Sequence, residues 1–341
     1  MHLEVFRTNE AMKALAEEWN DLLGCCSASH VPFLRYEYLT TWWKTLGGGE
    51  WPHGELFVVS ARDDDNELVG IAPLFFTKNR AGEPALMLIG SIEISDYLDL
   101  IVRTKSLPQF VDQLFNLLVS DQAPPWKALD LYNLPDYSPT LTALPAAAAS
   151  RGWAFEKLPL QKSPYIPLPG DWDSYLAGID KKQRHEIRRK MRRAEEGALP
   201  VRWYIVEDET TLDGEIEDFL TLMAQDPEKE HFLTEAMRTQ MRLAVHAAFE
   251  AGWLQLAFLD VDGEKAAGYL NFDYHGHIWV YNSGLNFKFR ELSPGWVLLG
   301  YLLQWANEQQ RAAFDFMRGD EEYKYRFGAI DRYVYRATVR R

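Results

Sequence analysis

Between Phe314 and Gly328 the sequence reads FDFMRGDEEYKYRFG, an apolar alternation with one acid in it that then releases Arg318, Asp320, Glu321, Tyr323 and Lys324. Side chains of these types can hold an anion and move a proton. Arginine offers a planar fork suited to phosphate, and lysine a movable point charge. Tyrosine can give a proton and the two acids can take one. A second candidate is Ser293-Pro294-Gly295, with serine placed to cap a helix and proline at its first position. The free N–H groups of such a helix start favour phosphate or carboxylate.

The segment 181–196, KKQRHEIRRKMRRAEE, sets eight Lys/Arg against three Glu, although the chain as a whole carries −14. A basic island on an acidic body can hold an anion without coating the protein in nucleic acid, which argues against a DNA-binding role. Its charges cover nearly all azimuths, unlike a clean membrane-surface helix. Three readings stay open: a solvated helix, an anion-binding element for coenzyme A, a nucleotide-linked substrate or a transfer RNA end, and a membrane-surface element. Arg184 and Arg188 lie one turn apart and would share a face.

Other candidates carry less. In SDYLDLIV (95–102) a strand alternation would put Asp96 and Asp99 on opposite faces, so they would not form a paired-carboxylate site. Asp96 is expected to line a cleft. Asp315, an acid amid apolar neighbours, is expected to pair with an arginine or a backbone donor. The histidines show no metal spacing, and the only cysteines, Cys25 and Cys26, are adjacent. No run approaches the ~20 apolar residues of a membrane span, and a reducing cytoplasm is the expected location. Most aromatic residues read as core, with Trp43 and Tyr97 as candidates for a substrate groove.

The elements that must position these residues alternate between strands and helices. Hairpins are predicted at ELFVVSARDDDNELVGIAPLFF (55–76) and LQLAFLDVDGEKAAGYLNFDY (254–274), which share strand, acidic turn, Glu and Gly at similar spacing. WKALDLYNL and RAAFDFMRG likewise share Ala-apolar-Asp-apolar after a predicted helix. Two matched features in the same order predict duplication of one α/β unit. The division is placed at 1–154 and 155–341, near a cluster of prolines, with the last strand free to return to the first domain.

This order of elements, with the loop Arg290-x-x-Ser293-x-Gly295 entering a helix, resembles the GNAT acyltransferases. Their pyrophosphate loop reads Arg/Gln-x-x-Gly-x-Gly/Ala, and Ser293 replaces its first glycine. More of the chain resembles the CelD/BcsL-type acetyltransferases, relatives of the FemABX peptidyltransferases. That likeness is carried by PFLRYEYLTTWW, LVGIAPLFF, SDYLDLIV, SPYIPL, the basic segment, YNSG, LSPGW and FDFMRGDEEYKYRFG. It implies tandem GNAT-like α/β units, each a mixed, mostly antiparallel sheet flanked by helices.

The resemblance further implies an N-acyltransferase, in the first place an N-acetyltransferase, with acetyl-CoA or another acyl-CoA as donor and no metal. Arg290, Ser293, Gly295, Tyr281 and Ser283 would bind the donor. Tyr323 would protonate the leaving thiolate, while Asp320, Glu321 or Asp96 would neutralise the amine. Arg318, Lys324, Arg184, Arg188, Trp43 and Tyr97 would contact substrate, Lys324 by analogy with a donor-neutralising lysine of the FemABX proteins. The acceptor would be a small amine or an amino sugar of envelope or polysaccharide chemistry. Two rivals are an aminoacyl-tRNA-dependent transferase and an inactive ligand-binding module on the same fold.

Overall fold

In the computed structural model, which describes residues 1–341, the chain divides into two units, Met1–Gln161 with Arg332–Arg341, and Lys162–Asp331. The strands of the first half are β1 (His2–Phe6), β2 (Glu55–Arg62), β3 (Leu68–Lys78), β4 (Pro84–Leu88), β5 (Ile101–Val102), β6 (Ala128–Pro135) and β7 (Ala154–Lys162). Those that follow are β8 (Tyr165–Pro167), β9 (Val201–Ile205), β10 (Leu254–Val261), β11 (Glu264–Tyr274), β12 (His277–Leu285), β13 (Ala313–Asp315) and β14 (Tyr333–Arg340).

Both units repeat one strand plan. The first sheet runs β1-β2-β3-β4-β6-β14-β7, with β5 added to β3, and the second runs β9-β10-β11-β12-β13-β8. In each, four strands pair antiparallel in succession, the next pairs parallel, and another antiparallel strand follows. The parallel step, β4 to β6 and β12 to β13, needs a long return connection. Helix Leu107–Leu118 provides it in the first unit and helix Pro294–Glu308 in the second. The chain is thus of the mixed α/β class, built from two units with the same strand plan, each a mostly antiparallel sheet flanked by helices.

Packing follows the apolar spacing. Trp19, Trp42, Phe57, Phe75, Phe110 and Phe115 are fully buried in the first unit. In the second, helix Pro294–Glu308 buries Val297, Leu298, Leu302 and Leu303 with Ile278 and Phe314 of the sheet. Helix Lys181–Glu195 lays Ile187, Met191 and Ala194 on the same core. This i, i+4, i+7 stripe is what holds so basic a helix to the protein.

Two local expectations are corrected. The strand expected in SDYLDLIV (95–102) is only β5, because residues 96–100 run irregularly and bury most of their side chains individually. The strand predicted at AAFDFM ends at Asp315, and Met317 turns the chain with φ 54°. Helices Trp172–Gly178 and Pro227–Phe232 were not anticipated.

Candidate functional site

Strand β12 outlasts its parallel neighbour. Pairing with β13 runs from His277↔Ala313 to Trp279↔Asp315 and stops, while β12 continues to Leu285 along β11. A bulge interrupts β12 at this point: Asn271 faces Val280 and Leu270 faces Asn282, so Tyr281 is the extra residue. Beyond Trp279 the strand therefore has one edge with no strand beside it. A cavity of about 360 Å³ opens along the later part of that edge, with Ser283 and Leu285 in its wall.

The start of helix Pro294–Glu308 forms another wall. Ser293 adopts the left-handed conformation (φ 52°, ψ 53°) between a 3₁₀ turn and the helix, and its side chain makes no capping hydrogen bond. Arg290, Ser293, Pro294, Gly295 and Trp296 all line the cavity. A Cβ on Gly295 would stand 2.6 Å from Leu285 Cδ2, so a larger residue there would crowd the space. Lys190 also lines it, its ammonium 4.2 Å from the centre of the Trp296 ring. Lys190, which also pairs with Glu186 at 3.6 Å, and Arg290, beside Glu291 at 3.7 Å, bring cationic side chains to the helix amino terminus on this wall.

Two phenols also line the cavity. Tyr323, on the short helix Glu322–Arg326, lies edge-on to Phe316 at 5.9 Å and lines the cavity beside Phe327. Burial, with a smaller push from the Glu321 charge, holds its hydroxyl well above the ordinary tyrosine range. Tyr269 of β11, opposite Ser283, is raised likewise by burial and then by Tyr323. Both hydroxyls remain protonated at neutral pH, as a proton donor must.

The structure thus gathers Arg290, Ser293, Gly295, Ser283 and Tyr323 of the expected residues and adds Lys190 and Tyr269. Others lie off the cavity wall. Asp320 is exposed, and Tyr281 packs on Phe272 at 5.1 Å. Lys324, only 3% exposed, donates to the carbonyls of Phe316, Arg318 and Gly319 at 3.2, 2.9 and 3.0 Å. It also pairs with Glu321 at 2.9 Å, so its ammonium braces the turn that presents Tyr323. Asp315 is buried and accepts the Met317 N–H at 2.7 Å.

Arg184 donates to the Leu176 and Ala177 carbonyls, and Arg188 pairs with Asp173 at 3.2 Å. In the first unit Asp96 is half-buried, Trp43 lies 6.1 Å from Phe75, and Tyr97 is fully buried, with no surface to offer a groove. Asp99, also buried, accepts the Leu100 N–H and the Thr140 hydroxyl at 2.8 and 2.5 Å. Because these residues are not in a strand, the alternation argument about Asp96 and Asp99 has no footing.

Sequence reasoning also passed over Lys229. It sits on helix Pro227–Phe232 and donates to the Ser283 carbonyl at 2.5 Å. Its signal was hidden because EKEH reads as an ordinary solvated charge run.

Residues 181–325 match the family model described as acetyltransferase (GNAT) domain. That segment holds every residue of the cavity wall except Phe327. No curated protein sequence matches the chain. Among solved structures the chain is similar to FemX, at 12% identity and a TM-score of 0.65 over 98% of this chain and 97% of that one. A conserved protein of unknown function from Bacteroides thetaiotaomicron gives 12% and 0.64 over the whole of both chains. L-PGS from Bacillus licheniformis gives 17% and 0.55 over 97% and 91%. At such identities these likenesses establish a shared fold.

Proposed function

From a second unit that carries a GNAT-type acetyltransferase domain, we infer that this acyltransferase is an N-acyltransferase using an acyl-CoA donor, with acetyl-CoA the first to test. One observation carries the reading: a helix amino terminus, a strand edge with no strand beside it and a protonated tyrosine converge on one cavity.

The donor's phosphates lie at the start of helix Pro294–Glu308, where Lys190 and Arg290 supply charge. Its amide-bearing arm runs along the edge of β12 that has no strand beside it, avoiding Ser283, whose N–H and carbonyl are taken by the Asn282 side chain and by Lys229. The acyl carbonyl then sits near the bulge, where N–H groups released from regular pairing can face a developing oxyanion. A neutral amine attacks the carbonyl carbon to form the C–N bond. Collapse breaks the C–S bond, and Tyr323 gives its proton to the departing thiolate. The proton lost by the amine passes to solvent or to an exposed acid such as Asp320, and a proton from solvent restores the Tyr323 hydroxyl. Amide and free thiol are the products.

The fold shared with FemX favours one second reading, an aminoacyl-tRNA-dependent transferase of the FemABX kind, in which helix Lys181–Glu195 meets the RNA. Such binding weakens steeply with salt as each phosphate contact releases counterions. The acceptor proposed here is an amino sugar or a small amino-acid-like amine, and the cytoplasm is the proposed compartment.

Thiol release from acetyl-CoA over an amine panel tests the reading directly. Tyr323→Phe should lower kcat by roughly 10²–10⁴-fold, the range for a lost proton donor, and change donor affinity little. Turnover with wild-type kcat in that variant would remove Tyr323 from the mechanism. Absence of acetyl-CoA binding to the wild-type protein would remove the donor assignment.

A further inference from the structure

The expected site accounts for neither Lys229 nor the turn that delivers it. Helix Glu209–Met223 lies so close to β12 that a Cβ on Gly284 would stand 2.6 Å from Leu222 Cβ and 2.7 Å from the Met223 nitrogen. The chain then turns at Asp226, which caps helix Pro227–Phe232 by accepting the Glu228 and Lys229 N–H groups at 2.9 and 3.4 Å. This brings the half-buried Lys229 back onto the strand, its ammonium 2.5 Å from the Ser283 carbonyl and 3.5 Å from the Ser283 hydroxyl. Ser283 is part of the cavity wall.

Two carboxylates face this ammonium, and both are committed elsewhere. Asp226 holds its own helix start, and Glu321 is paired with Lys324 at 2.9 Å. No carboxylate lies within 4.0 Å of Lys229. Burial therefore lowers its proton affinity more than Asp226 and Glu321 raise it. A partly desolvated cation with a carbonyl, a hydroxyl and no counter-ion is incomplete, because burying charge costs free energy until an opposite charge compensates it. Lys190 and Arg290 border the same cavity from two other elements, helix Lys181–Glu195 and the 3₁₀ turn Phe287–Leu292, the donor side of the reading above.

We propose that Lys229, with the Ser283 hydroxyl, binds an anionic group, carboxylate or phosphate, on the amine acceptor. The site thus selects amines that carry a negative charge near the nitrogen. This rests on the acyl-transfer reading for the identity of the second substrate, but the anion site itself can be tested without turnover.

The test compares matched amines in thiol release by the full-length protein: glucosamine against glucosamine 6-phosphate, and glycinamide against glycine. At least one anionic member should exceed its neutral partner by roughly tenfold to a hundredfold in kcat/KM, the range for a hydrogen bond to a charged group. The pair that shows it tells phosphate from carboxylate. Lys229→Met should collapse that ratio towards one, and Lys229→Arg, which keeps the charge, should restore most of it.

A wild-type protein that uses neutral and anionic amines equally would overturn the proposal even if Lys229→Met fails to fold. So would a folded Lys229→Met with an unchanged ratio. If no amine releases thiol, the acyl-transfer reading falls and calorimetry decides the anion site separately. Glucosamine 6-phosphate bound more tightly than glucosamine by wild type, but not by Lys229→Met, supports it; equal binding defeats it.

Discussion

The two units share a strand plan and differ at one place in it. Aligning Gly70 with Gly268 in the paired hairpins sets Leu74↔Leu88 against Phe272↔Trp279, and Ile71↔Ile101 against Tyr269↔Ser283. Between these matched pairs the second unit has residues 280–282, of which Tyr281 alone is extra, and the first has residues 89–100. In the second unit the short insertion is a bulge, and it leaves the edge of β12 open to a cavity.

In the first unit the long insertion folds against β6. Asn133 donates to the Ile92 and Ser95 carbonyls at 2.8 and 2.7 Å, and its own carbonyl accepts the Leu98 N–H at 2.9 Å. Tyr97 and Leu98 are fully buried there. The same notch is thus filled by the chain in one unit and borders a cavity in the other. The comparison teaches that a repeated fold does not imply a repeated site.

Three substitutions would break or sharpen this contrast. The largest effect is expected at Gly284, where any side chain meets the backbone of Met223 as well as Leu222. Gly284→Val should destabilise the second unit by about 3 kcal/mol or more, the upper range for overpacking. Denaturant unfolding should show an early transition in that unit; an unchanged midpoint would mean the helix does not bear on the open edge as described.

Asn133→Ala should cost the first unit about 2–3 kcal/mol. It loses two buried hydrogen bonds and leaves alanine at the φ of 62° that asparagine tolerates. Thiol release should survive this change. A variant that folds normally but loses activity would show that the filled notch matters to the chemistry.

The smallest effect concerns Asp99. Burial, opposed by hydrogen bonds from Ser138, Thr140 and Leu100, raises its carboxyl from 3.8 to about 6. The folded state holds this proton more tightly than the unfolded state, so the stabilisation is present below about pH 4 and lost as pH rises towards 6. Wild type should lose more stability than Asp99→Asn across that interval. Parallel pH profiles for the two proteins would show that Asp99 does not titrate there.

Much of this architecture was legible in the sequence. The paired hairpins, the Ala-apolar-Asp strands and the Ser-Pro-Gly helix start each have local signatures, and all form as elements. Five residues named from the sequence do share one cavity. What stayed hidden depended on tertiary partners. Lys190 was lost in a helix judged by its charge, although Ile187, Met191 and Ala194 mark the face that fixes its direction. Lys324 carried the expected charge, but three carbonyls and Glu321 consume it. The alternation in SDYLDLIV looked like a strand because apolar side chains buried one by one in an irregular segment leave the same pattern.

The contrast between the filled and the open notch is tested most directly by hydrogen exchange with and without acetyl-CoA. Protection should rise along 280–285, at the helix start 293–299 and around Tyr323, and stay unchanged along 85–102. Protection at 89–100, or none at 280–285 under saturating donor, would contradict the assignment of the donor site to the second unit.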